Sequence, residues 1–440
     1  MNAPTPVSDL AGRAALVPAA ITGGVGAAAA MLVVAYVLHL PGLALPGPVV
    51  GGAMLAALAG ALALVARSAG RASAVPVGFG AGIVAALLSL IALGAVLAEP
   101  IEEHGALRGV LMFLVWTLLV GGVGAAAAAL VRPGAPARPV AAADWTPILA
   151  FITAGATLAL ITMGGIVTAA EAGLAVPDWP ATFGANMFLY PLSQMTGGVY
   201  YEHAHRLMGA FVGLATILLM VVTLWKARGP VVKALSVVAF IHVCIQGLMG
   251  GLRVTELSTG LAIVHGVSAQ LFLTLLLVIG LMTSRAWRAI HPAVMDAAGR
   301  QRAFSIAALA ILFLQIALGA ITRHLPGSNH PLFTHVGFSI IAAAAIVLAG
   351  SHAAKIGRDP VMKKLGTAHL HAVGLQMVLG VGALAVVILH GDAEQPTPVD
   401  LLVTTTHQVV GAILLGVVAL TAVWSYRAIK PETRPAPALA

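Results

Sequence analysis

Long apolar stretches recur along the whole chain and constrain its fold more than any other feature. A helix needs about 20 apolar residues to cross a bilayer, and twelve such stretches occur in the 440 residues. Only 9% of the residues are charged, whereas soluble domains carry about 25%. The sequence therefore excludes a soluble fold and predicts an all-α, polytopic membrane protein. The predicted spans are 16–40, 48–67, 76–98, 107–131, 147–169, 199–225, 232–252, 259–283, 303–322, 331–350, 366–389 and 401–425.

Basic and acidic residues alternate between successive loops. A net charge of +8 would suggest nucleic-acid binding in a soluble protein, but here the basic residues cluster in every second loop. Acidic residues, including Glu171, Asp178 and Glu256, occupy the loops between. The positive-inside rule then predicts a bacterial-type inner-membrane protein with both termini in the cytoplasm and no nucleic-acid partner. No small-residue cleavage site follows the first span, so we expect a retained helix rather than a signal peptide.

A short basic segment rich in proline and alanine, residues 131–144, separates four N-terminal spans from eight C-terminal ones. We therefore expect an N-terminal membrane region at 1–140, an eight-helix domain at 141–430 and a cytoplasmic tail at 431–440. The single cysteine, Cys244, lies within the seventh span, so the chain cannot form an intramolecular disulfide.

The eight-helix domain carries an internal repeat. The number of residues between His205 and Gln246 is the same as that between His335 and Gln376, which predicts two pseudo-symmetric four-helix bundles. Glutamines contribute to this repeat. Their simpler explanation is helix packing, because a glutamine side chain can hydrogen-bond across helices. The pattern Gln, three residues, Gly occurs at 246–250, 315–319 and 376–380. The predicted halves are residues 145–290 and 300–426.

Four of the fifteen histidines fall at equivalent positions on spans six, eight, ten and twelve. Each follows its predicted span start by four to six residues, which is about 6–9 Å at 1.5 Å per residue. A single histidine at such a place is more simply a hydrogen-bonded packing residue, but four at one depth suit paired ligation of heme iron. We therefore predict one heme site in each half. The four are His205, His265, His335 and His407.

The two halves differ beside their first histidine, because the first half reads EHAHR where the second reads LFTHV. Glu202 and His205 are three residues apart and share a helix face. A carboxylate would therefore lie beside only one of the hemes. We predict a catalytic role for Glu202, which could shuttle protons or stabilise positive charge on a substrate carbon. The alternative is that Glu202 is a partner for Arg206 or His203.

Two arginines at span ends, Arg253 and Arg323, are candidate contacts for heme propionates, although ordinary loop arginines explain them equally well. The remaining polar candidates are other histidines. We predict a second-layer or packing role for His203 and structural roles for His242, His369 and His371. We predict solvated loop positions for His324, His330 and His390.

The loop motif GLAVPDWPATFG at 173–184, followed by EHAHR at 202–206, resembles the heme A synthase family. The resemblance covers about residues 145–426. It implies an enzyme that oxidises the C8 methyl of heme O to a formyl group, giving heme A for terminal oxidases. It also implies residue roles: Glu202 as the catalytic carboxylate, His205 and His265 with Arg206 around the substrate heme, and His335 and His407 as ligands of heme b.

One departure from the family concerns electron delivery. Many members carry a cysteine pair where this chain has Val176 and Thr182, so thiol-based delivery is absent and the electron donor is open. The resemblance implies heme O, the farnesyltransferase that makes it, an electron donor and membrane lipid as partners, with a homo-oligomer left open. The four N-terminal spans lie outside the family plan, and for them we expect only anchoring or docking.

Two other functions stay open at this point. A diheme b-type electron carrier, or a quinol-linked cytochrome, predicts stable heme b in both halves and indifference to Glu202→Ala. A protein that stores or passes heme would use the histidines without catalysis. Glu202 and the PDWP loop favour the enzyme by resemblance.

Overall fold

The structure, a computed structural model, describes residues 6–43, 45–69, 73–104, 106–130, 144–294, 297–325, 329–356, 359–390 and 396–430. The predicted linker at 131–144 lies outside the described residues except for Asp144. The predicted tail at 431–440 lies outside them entirely.

Within the described residues, twelve helices are long and apolar enough to cross a membrane. This confirms the predicted all-α, polytopic fold and its number of spans, so the chain is a multi-pass membrane protein. The helices are α1 (Pro6–Leu38), α2 (Gly47–Ser68), α3 (Ala74–His104), α4 (Ala106–Leu130), α5 (Trp145–Ala169), α6 (Gly197–Lys226), α7 (Pro230–Thr255), α8 (Thr259–Thr283), the short α9 (Arg285–Ala289), α10 (Ala298–His324), α11 (Asn329–Ile356), α12 (Pro360–His390) and α13 (Pro398–Ala428).

Several helices run beyond their predicted spans because polar residues at their ends are also helical. The last helix, α13, begins before its predicted start at 401, where Thr397 and Asp400 form a reciprocal capping box and Pro398 occupies the first turn. Both features favour helix initiation. Apolar composition therefore marks the membrane-crossing part of a helix, whereas capping residues mark its ends.

Two short sheets accompany the helices. Strands β1 (Ala181–Thr182) and β2 (Ala185–Asn186) form an antiparallel hairpin within the α5–α6 loop, residues 170–196. Strands β3 (Ala293–Val294) and β4 (Ile429–Lys430) pair in parallel.

The chain divides into two compact units, the first of which is Met1–Leu257 and holds α1–α7. In it α1 packs against α2, α3, α5 and α6, while α3 packs against α4, and α6 packs against both α5 and α7. Small residues allow these close approaches, as expected for membrane helices. A Cβ atom on Gly124 of α4 would collide with the backbone of Gly78 on α3.

The second unit, Ser258–Ala440, holds α8–α13. Helices α10, α11, α12 and α13 pack in sequence and α13 returns to α10, which closes a four-helix bundle against which α8 also packs. Leu312, Ile346, Val373 and Leu414 form part of its core. The helices of the predicted first half are divided, since α5–α7 belong to the first unit and α8 to the second. The predicted first bundle and the predicted boundary at residue 140 therefore stay predictions.

Candidate functional site

Glu202 lies in the second turn of α6 and is 4% exposed. Its Oε1 is 2.6 Å from Nη2 of Arg206, one turn later on the same helix, and its Oε2 accepts a 2.8 Å hydrogen bond from the backbone N–H of Val176. The alternative in which Glu202 pairs with Arg206 is thus observed. Both carboxylate oxygens have partners, as a buried charge requires.

The Arg206 guanidinium organises the α5–α6 loop. It donates to three backbone carbonyl oxygens, those of Asp178 at 2.6 Å, Val176 at 2.9 Å and Ala181 at 3.1 Å. The planar fork of an arginine suits several acceptors at fixed angles. The PDWP loop and the EHAHR motif, which are separate in the sequence, therefore form one hydrogen-bonded structure around the Glu202–Arg206 pair.

Asp178 closes the tight turn between β1 and β2. Its carboxylate accepts from the amides of Phe183 at 2.8 Å and Gly184 at 2.7 Å. These two residues have φ angles of 50° and 78°, as a two-residue hairpin turn of the primed kind requires. Slight burial raises the pKa of the Asp178 carboxyl, but the amide hydrogen bonds outweigh that effect and hold the pKa below its ordinary value.

The contacts of His203 were not foreseen from the sequence. Its side chain is fully buried, Nδ1 lies 3.1 Å from the Thr182 hydroxyl oxygen, and the ring packs against Tyr190 with centroids 5.2 Å apart. This agrees with the packing role predicted for His203. Thr182 and Val176, the positions at which the resemblance implies a cysteine pair, are both fully buried.

His205 faces α5 at Gly164, where a Cβ atom would lie 3.0 Å from Cε1 of the imidazole. Arg253, on α7, donates to the carbonyl oxygen of Gly173 in the α5–α6 loop at 3.4 Å, so its predicted propionate contact stays a prediction. His265 belongs to the second unit and His205 to the first. Their predicted pairing around one heme likewise stays a prediction.

In the second unit the structure brings His335 of α11 and His407 of α13 together. Their ring centroids are 6.4 Å apart and the ring planes are perpendicular. With metal–nitrogen bonds of about 2 Å, two imidazoles on opposite sides of one ion have centroids about 6 Å apart. The pair therefore has the spacing that a shared heme iron requires. Among the described atoms, Nδ1 of His335 is buried and lacks a hydrogen-bond partner.

A glycine lies against each of these two rings. A Cβ atom on Gly319 would lie 2.9 Å from Cε1 of His335, and one on Gly380 would lie 3.2 Å from Cε1 of His407. Both glycines end a Gln, three residues, Gly pattern. The repeated glycines, which predict helix packing, thus also leave room for the imidazoles. The sequence carries this signal in the repeat itself.

The glutamines of the same pattern contact the histidines directly. Gln315 donates to the backbone carbonyl of His335 at 2.9 Å, and Nε2 of Gln376 lies 3.2 Å from Nδ1 and 3.4 Å from Nε2 of His407. Among the described atoms, Oε1 of Gln376 is buried without a partner. A rotation of that amide would let Oε1 accept from Nδ1–H, the bond that orients a metal-ligating imidazole.

The second unit has no counterpart of the Glu202 carboxylate in its sequence, since Leu332 occupies the equivalent position. Arg323 lies in the last turn of α10 and is exposed, and its predicted propionate contact stays a prediction. The chain thus places a buried acid beside the histidine of the first unit and a pair of imidazoles in the second.

Comparisons with known proteins find similar sequences. A family model described as cytochrome oxidase assembly protein matches residues 147–329. The heme A synthase of Rhizorhabdus wittichii is 24% identical over 353 residues, which cover 65% of this chain and 94% of that protein. The heme A synthase of Sphingopyxis alaskensis is 25% identical over 347 residues, covering 64% and 91%. That of Bradyrhizobium diazoefficiens is 26% identical over 224 residues, covering 43% and 59%.

The matched family model begins in α5 and includes the α5–α6 loop with the EHAHR motif. The two longer alignments extend over nearly the whole of each relative. The sequence is therefore similar to heme A synthases over the part of the chain that carries the Glu202–Arg206 structure and the repeated histidine positions.

Proposed function

We propose that this protein is a heme A synthase, which oxidises the C8 methyl of heme O to a formyl group to give heme A for terminal oxidases. The relatives named heme A synthase support this activity. The geometric observation that carries the proposal is the His335–His407 pair, whose 6.4 Å separation suits a heme iron. Heme O is the substrate in this proposal, and a b-type heme is the resident cofactor.

The second unit is the proposed cofactor site. His335 and His407 would hold heme b, which supplies one-electron transfer when bound. The Gln376 amide fixes the orientation of the His407 ring, and Gln315 fixes the backbone of α11 at His335. Exposed Arg323 is the proposed propionate contact there.

The first unit is the proposed reaction site. His205, with His265 and Arg206, would hold the substrate heme, and Glu202 would hold or move a proton beside it. Each Glu202 oxygen accepts one hydrogen bond, and a carboxylate oxygen has a second lone pair that is available to a proton. Arg253 is the proposed propionate contact on this side.

The charge pattern supports an orientation with both termini in the cytoplasm of a bacterial-type inner membrane. This orientation puts the α5–α6 loop and the four ligand histidines toward the outer face. The proposed activity requires a farnesyltransferase that supplies heme O and an electron donor that works without a thiol pair at Val176 and Thr182. A homo-oligomer stays open.

The deciding experiment is expression in a host that makes heme O but lacks its own heme A synthase. Hemes extracted from the membranes are separated by chromatography and identified by mass. We expect heme A or a hydroxylated intermediate to appear. If expressed, folded protein yields only heme O and heme B, the proposed activity is wrong, and stable heme b in both halves would then identify an electron carrier.

A further inference from the structure

The N-terminal helices contact the reaction half directly. Within the first unit, α1 packs against α5 and α6, and α3 also packs against α6. Helix α6 carries Glu202 and His205. The N-terminal helices, for which the sequence predicted only anchoring or docking, therefore pack against α6, the helix that bears the proposed chemistry.

One contact joins the end of α1 to the start of α6. The ring of Tyr36 stacks on that of Tyr200 with centroids 5.6 Å apart and planes at 13°. The Tyr200 hydroxyl donates a 2.6 Å hydrogen bond to the backbone carbonyl of Tyr36. Tyr200 is 7% exposed and lies two residues before Glu202.

The Tyr36 carbonyl is one of the last four of α1, and such carbonyls have no partner within their own helix. Its neighbours are satisfied locally, because the amide of His39 bonds to Ala35 and that of Leu40 bonds to Val37. An unpaired carbonyl at membrane depth is unfavourable because no water is there to pair with it. The Tyr200 hydroxyl supplies the missing donor, so this contact stabilises the end of α1 and the start of α6 together.

A second contact joins α3 to the α5–α6 loop. A Cβ atom on Gly94 would lie 2.7 Å from the carbonyl oxygen of Phe188, so the loop backbone lies directly against the helix and only glycine fits. Two residues farther along the loop, Tyr190 packs on His203 and on Phe183. The same loop is held to Glu202 through Val176.

We propose that α1 and α3 act as a brace that holds the α5–α6 loop and the first turns of α6, and so orient Glu202 and His205 for the reaction. Tyr36, Tyr200 and Gly94 are the positioning residues of this brace. The effect on turnover rests on the proposed function, whereas the effect on the loop does not.

The test uses the full-length protein in lipid nanodiscs. A spin label is placed on the loop through Ser193→Cys in a Cys244→Ser background, because Cys244 is exposed. Gly94→Val pushes the loop away from α3, and Tyr200→Phe removes only the hydroxyl while keeping the stacked ring. The matched controls are Gly122→Val, where an added Cβ meets nothing within 4 Å, and Tyr201→Phe.

We expect the label to become more mobile in Gly94→Val and in Tyr200→Phe but not in the controls. Heme O turnover should fall about tenfold in Gly94→Val and less in Tyr200→Phe, with kcat lowered and KM nearly unchanged, because misorientation impairs chemistry more than binding. The absorption of heme bound at His335 and His407 should not change. A merely stabilising role would instead lower heme content and protein yield together.

Unchanged label mobility in both variants would overturn the brace. Increased mobility with unchanged turnover would show that the helices hold the loop without positioning the site, and would overturn the positioning claim. If the parent protein makes no heme A, the proposed function fails on its own, and the spin label still reports whether α1 and α3 hold the loop.

Discussion

The candidate ligand histidines have different surroundings in the two units. In the first, His205 lies one turn beyond a buried carboxylate that is tied to a loop by Arg206 and Val176. In the second, His335 and His407 face each other, and their hydrogen-bond partners come from glutamines. A carboxylate suits proton exchange with a reacting substrate, whereas a pair of closely spaced imidazoles suits a cofactor that stays bound.

The largest expected effect is the loss of the second-unit heme in His335→Ala. Because His335 is one of the two residues that would hold heme b, its removal should abolish the low-spin heme absorption of the purified protein, measured by difference spectroscopy. His371→Ala, an exposed histidine of α12, is the matched control and should keep full absorption. Equal heme content in His335→Ala and His371→Ala would contradict the assignment of a heme site to His335.

Glu202→Ala should lower heme A formation on the order of 100-fold or more, the range of general acid–base effects, while the second-unit absorption stays intact. The change also leaves Arg206 partly buried without its carboxylate, so folded protein must be quantified by size-exclusion chromatography. Glu256→Ala, at the exposed end of α7, is the control. Retained heme A formation in Glu202→Ala would show that Glu202 is not the catalytic carboxylate.

Gln376→Leu should weaken heme retention in the second unit by about tenfold, because residues that orient a metal-ligating imidazole have effects of this size. Heme transfer to apomyoglobin measures the loss rate. Gln270→Leu replaces another buried glutamine of the same unit, on α8, and should have no effect on that rate. If Gln376→Leu and Gln270→Leu lose heme at the same rate, the contact between Gln376 and His407 has no specific role in heme retention.

The smallest effect concerns Asp178, which is largely solvated, so Asp178→Asn should cost about 1 kcal/mol or less. Its folded pKa lies below the ordinary value of 3.8. The stabilisation is therefore complete above pH 3.8 and is lost as the pH falls through the lower folded value. Limited proteolysis of the α5–α6 loop across an acidic pH series should show this loss.

Asp178→Asn should remove the pH dependence of loop cleavage, whereas Glu171→Gln, an acid at the other end of the loop, should keep it. If the loop is equally resistant to protease in the parent, in Asp178→Asn and in Glu171→Gln at every pH, Arg206 alone holds the loop. Such a result would leave Glu202 and Arg206 as the complete structural core of the first-unit site.

Much of the fold could be predicted because the membrane leaves few options. Backbone groups in lipid must be paired internally, so each long apolar stretch becomes a helix, and all twelve spans are found in the described residues. Helix ends were less predictable, because capping residues such as Thr397 and Asp400 are polar and lie outside the apolar pattern. The candidate histidines were predictable from their equal positions in a repeat.

What the sequence by itself determined is the all-α membrane fold, the repeat and the residue types at the site, since hydropathy and spacing are local properties. Tertiary structure alone decided which groups meet: Glu202 with Arg206 and Val176, His335 with His407, and Tyr36 with Tyr200. These contacts join different helices and loops, and their geometry depends on how closely small residues let the backbones approach. That distance cannot be read from the spacing of residues along one chain.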